Sequence, residues 1–168
     1  MRYSLLLGVV VAGTVLSAPQ PAQAQTCLTE PERQAREIRH LQTQLMVGAL
    51  QCRGSRDHGQ RDNYNAFVTQ NKGHLADHAQ QLIAGFKRQY GPRHQKHLDA
   101  FITKLANDIS LRSQRVGNFC QRIADLGAYL TQGEGRNWAQ AVALAPVRFQ
   151  PPVASCEKDA SATTIAVD

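Results

Sequence analysis

The chain has 168 residues, with 19 Lys and Arg against 13 Asp and Glu and a formal net charge of +6. That length suits one domain, and past the first stretch no apolar run reaches spanning length, which excludes a membrane-embedded protein. The four cysteines show no Cys-x-x-Cys spacing, which excludes thioredoxin-type redox chemistry, paired-cysteine zinc sites and c-type haem attachment.

Residues 1–24 read as a cleaved signal peptide. Arg2 precedes the apolar run Leu5 to Ala12, and Ala22-Gln23-Ala24 offers a small-x-small cleavage site. Ala24-Gln25-Thr26 before Cys27 lacks the small residue that lipoprotein processing requires. Cleavage leaves 144 residues and a charge of +5, with no transmembrane anchor. The expected location is therefore exported, periplasmic or secreted. In such a compartment an even cysteine count predicts disulfides. Of the three possible pairings, Cys52–Cys120 between helices and Cys27–Cys156 between the two ends is the expected one.

The strongest element runs from Thr29 to Cys52. Thr29 with Glu32 fits a capping box, and Pro31 sits in the first turn, where its missing N–H costs little. Ile38, Leu41, Leu45, Ala49 and Cys52 recur at steps of three and four, which is one helix face. Met46, Val47 and Leu50 widen that stripe towards burial on more than one side. A second pattern, Tyr64, Val68, Leu75, Ala79, Leu82, Phe86 and Tyr90, predicts one long or gently kinked helix over 62–90, stopped by Gly91-Pro92.

Leu98, Phe101, Ile102, Leu105 and Ile109 form a third pattern, and Val116, Phe119, Cys120, Ile123, Leu126 and Leu130 a fourth. Joined, they would reach roughly 58 Å at 1.5 Å per residue. A break is therefore expected near Asn107–Ser113, where polar residues offer caps. Gly133-Glu134-Gly135 is a turn, Trp138, Val142 and Ala145 predict a short last helix, and Pro146, Pro151 and Pro152 make 146–168 a largely irregular tail. The predicted fold is all-α: a compact, disulfide-stapled bundle of four main helices plus a short C-terminal one over 25–145, with Phe67, Phe86, Phe101 and Phe119 facing inward.

Chemistry is sparsely signalled. His74, Asp77 and His78 lie close on a helix surface, a set able to offer a metal two imidazoles and a carboxylate. Leu75 stands where a zinc hydrolase would carry its glutamate, so a hydrolytic site lacks a general base. His40 sits among Arg36 and Arg39, and His94 and His97 beside Arg93 and Lys96; such exposed histidines titrate readily. Arg33, Arg36 and Arg39 begin an arginine-rich first third, a candidate anion-binding surface diluted by Glu30, Glu32 and Glu37. No Gly-x-Ser-x-Gly or phosphate-binding loop occurs, and paired cysteines leave no thiol nucleophile. The chain thus reads as a non-enzymatic exported helical protein without a cofactor, binding a protein or an anionic envelope component; export disfavours nucleic acid. The alternative is a small metal-binding protein built on His74, Asp77 and His78.

Overall fold

The first helix begins where its capping residues stand. In α1 (Glu30–Gln51), the Glu32 carboxylate reaches back 2.9 Å to accept the Thr29 N–H, and Cys52 closes the far end by donating its N–H to the Gly48 carbonyl. The computed structural model describes residues 27–131, 137–151 and 153–156. The signal-peptide expectation, the Gly133–Gly135 turn and the end of the tail lie outside the described residues.

Helix α1 touches every other α-helix of the described chain. These are α2 (Gln60–Gln70), α3 (Lys72–Tyr90), α4 (His94–Ser113), α5 (Phe119–Thr131) and α6 (Trp138–Leu144). The apolar stripe Ile38, Leu41, Leu45 and Cys52 is buried as expected, and Val47 joins it, while Leu50 in the last turn remains 58% exposed. Each fully buried Leu or Phe contributes roughly 1.5–3 kcal/mol. The fold is all-α, with both disulfides formed as Cys27–Cys156 and Cys52–Cys120.

Two helix boundaries differ from expectation. The predicted 62–90 helix is divided at Asn71 into α2 and α3, while Gly73 sits inside α3 without breaking it. Asn71 is buried, and its side-chain amide donates to the Phe67 carbonyl at 2.8 Å, the same oxygen its own N–H reaches at 3.1 Å. The division has a packing reason. Helix α2 lies against α5 and the larger core cluster, whereas α3 lies against α1 and α4, where Ala35, Leu82, Phe86 and Leu98 form a second cluster. One straight rod could not serve both.

The second difference lies between α4 and α5. The helix runs on through the expected break to Ser113, with Leu105, Ile109 and Ser113 buried along one face and Asp108 paired with Lys104 on the exposed side. The chain turns at 114–118, where Asn118 takes a left-handed conformation (φ 54°) that asparagine tolerates better than most residues. Phe67, Phe86 and Phe119 are buried and Phe101 partly so.

After α6 the chain is irregular but held. Val147 belongs to the main core, and the Gln44 side chain grips its backbone at both ends: Val147 N–H to Gln44 Oε1 at 2.8 Å, Gln44 Nε2 to the Val147 carbonyl at 3.0 Å. Further on, Leu28 pairs with this segment, donating to Ala154 and accepting from Cys156.

Candidate functional site

Residues of α1, α3 and α6 enclose a cleft of about 220 Å³. Trp138 owes its place to local signals. Asn137 caps α6 by accepting the Gln140 N–H, which sets the indole at the first helical position, against Phe67 of α2 at 6.0 Å between centroids. Its ring also stacks on His74 (4.2 Å, 26°), and His74 meets His78 edge to face at 4.5 Å. Ile38 and Val142 supply apolar wall, and Arg33 and Glu37 line the remaining side.

The electrostatics of this cleft are balanced. Arg33 is ion-paired with both Glu30 and Glu37 on its own helix, and the Glu30 bond raises its pKa. His74 is held below its usual value by burial, then by neighbouring His78, against an opposing pull from Asp77. His74 Nε2 and His78 Nδ1 are buried, with no hydrogen-bond partner among the described residues.

The predicted site residues therefore separate. The structure brings His74 and His78 together, whereas Asp77 stays exposed, and among the described residues no three His, Cys, Asp or Glu side chains converge as metal ligands. The three arginines do not form one anion-binding surface. Arg33 is neutralised by carboxylates, and Arg39 is half-buried, donating to Gln42 at 3.1 Å. Arg36 is buried with its guanidinium 4.6 Å from the Phe86 ring centre and 4.9 Å from that of Phe101, and burial lowers its pKa.

His40 departs furthest from expectation. It is 4% exposed, and burial, followed by the charge of Arg112, brings its pKa down from 6.5 to about 4. His97 stacks on Tyr90 at 3.9 Å. Sequence reasoning missed both Trp138 as a cleft wall and His40 as a buried group. The lone tryptophan of the chain was the available signal for the first; for the second, position 40 lies one residue from core Leu41 and four from Gln44.

Fold and site together define a class: an all-α bundle of helices around one central helix, stapled by two disulfides and bearing an open amphipathic cleft. The disulfides point to an oxidising, extracytoplasmic setting, and among the described residues no helix is long and apolar enough to cross a membrane. Compared with family models, curated proteins and solved structures, the chain matches none.

Proposed function

We propose that this is an exported, periplasmic, non-enzymatic protein whose cleft between α1, α3 and α6 binds a segment of a partner protein. The supporting observation is the cleft itself, with an indole and an imidazole stacked on one side and a self-neutralised Arg33–Glu37 pair on the other. Aromatic anchors beside satisfied charges suit an apolar or aromatic side chain flanked by polar backbone. An anionic envelope polymer would be better served by unpaired cations, which this cleft lacks.

The test is capture from periplasmic extract by wild type, Trp138→Ala and His78→Ala, with circular dichroism to confirm that each variant folds. Support is a defined protein that both variants lose and that raised salt does not release. Release by salt would instead indicate the anionic polymer, since exposed charge contacts are screened within roughly 10 Å at 0.1 M. Enrichment no better than an unrelated exported bundle would sink the binding claim.

The metal reading keeps one observation in its favour, the two unpartnered imidazole nitrogens of His74 and His78. Elemental analysis of untagged protein decides it: stoichiometric metal that His78→Ala removes would establish a two-imidazole site, and its absence would dismiss one.

A further inference from the structure

Gln44 determines which nitrogen of buried His40 carries the proton. Its Oε1 accepts the Val147 N–H, which assigns the other terminal atom as the amide nitrogen. That nitrogen donates one hydrogen to the Val147 carbonyl and lies 3.0 Å from His40 Nδ1, with its second hydrogen available there. Nδ1 must therefore accept, and the neutral ring is protonated on Nε2. This Nε2–H is buried and has no partner among the described residues. Leaving a buried donor unsatisfied is costly.

His40 lines a second cleft, of about 280 Å³, which shares no lining residue with the first. Phe101 of α4 and Phe149 of the irregular segment supply aromatic walls, and Leu105 and Ile109 an apolar side. Phe149 stands edge-on to the imidazole at 5.4 Å. Lys104 and Asp108 neutralise each other at 2.6 Å. Arg112 is different: its guanidinium donates to the Arg148 carbonyl, and among the described residues it makes no ion pair. Its charge already acts on His40. The buried imidazole, this unpaired cation and the aromatic walls thus line one cavity, close to the roughly 300–1,000 Å³ of small-molecule sites.

We propose that this cleft binds a small monocarboxylate with a single aromatic ring or branched apolar body. Its carboxylate accepts from His40 Nε2–H and Arg112, with Phe149 turning aside to admit it, and its body lies against Phe101. The donor belongs to a neutral imidazole, so the contact does not need His40 to be charged.

The probes are benzoate, phenylacetate and isovalerate, titrated into the full chain while the ring resonances of His40 and the heat of binding are followed. At least one is expected to saturate and shift the Nε2–H resonance. The matching amide should bind at least about tenfold more weakly, since charge-assisted bonds are roughly twice as strong as neutral ones, and Arg112→Gln should lose about tenfold, or about 1.4 kcal/mol. Affinity should stay flat between about pH 6 and 8, where His40 stays neutral and the probes stay ionised. His40→Phe should abolish the interaction; Arg112→Gln, which leaves the Gln44 clamp intact, decides the matter if that variant does not fold. No saturable shift with any of the three acids overturns the proposal, as does equal binding by Arg112→Gln or affinity that climbs as pH falls from about 8 to 6.

Discussion

A histidine that follows two arginines nearly three turns into a helix is expected to face solvent, yet His40 is packed under the segment that follows α6. The fold favours its neutral form, with a pKa of about 4 against 6.5 for the free side chain. Between those values the unfolded chain binds more protons than the native one, so stability rises with pH across that window. The contribution is complete above about pH 6.5 and is lost as pH falls towards 4, to the extent of about 3 kcal/mol at most. Protonation would also set an Nδ1–H against the amide nitrogen of Gln44. Urea melts at a series of pH values check this; His40→Phe should flatten the dependence, and an unchanged slope would refute the assignment. His74 offers an independent readout, because it stacks on the only tryptophan of the chain. An imidazolium quenches a stacked indole, so emission should fall on acidification with a midpoint below 6.5, and His74→Gln should remove that transition.

At the scale of the element, α1 is the member that all others share, and its closeness to α5 depends on one glycine. A Cβ built on Gly48 would lie 2.6 Å from Cγ2 of Ile123. In an isolated helix Gly→Ala gains about 1 kcal/mol, but overpacking a filled contact costs about 1–3 kcal/mol. Gly48→Ala is therefore expected to lower the melting temperature; a rise would mean that the two helices separate freely. The spacing of apolar residues in α1, its capping residues and the Gly91-Pro92 stop are all legible in the sequence, as is the one-turn spacing of Arg33 and Glu37. Those signals are local. The break at Asn71 is not legible there, because the apolar positions keep phase through it and only the different neighbours of α2 and α3 call for a bend. For the same reason the Trp138–His74 stack is hidden: neither residue carries a mark of the other, and their meeting depends on how α6 crosses the bundle.

For the whole molecule, two covalent links act on very different parts of the architecture. Loop-closure entropy varies only with the logarithm of loop length, so separations of 129 and 68 residues predict similar contributions, each about 4–5 kcal/mol in the ideal case. Packing breaks the tie. Cys52 is 2% exposed within the main core, whereas Cys27 and Cys156 are only partly buried. Replacing Cys52 and Cys120 by alanine should thus lower thermal stability more than replacing Cys27 and Cys156, and the reverse order in paired melts would contradict this account of the core.

The clasp between Cys27 and Cys156 also changes what the chain is topologically. Leu28 reinforces it with backbone bonds to Ala154 and Cys156, so the described polypeptide is closed into a ring with Cys52–Cys120 as a chord across it. One proteolytic cut within that ring still leaves one disulfide-closed loop and releases no fragment. In a compartment that holds both proteases and oxidants, such a molecule can be nicked in an exposed loop while all its helices stay tethered in place.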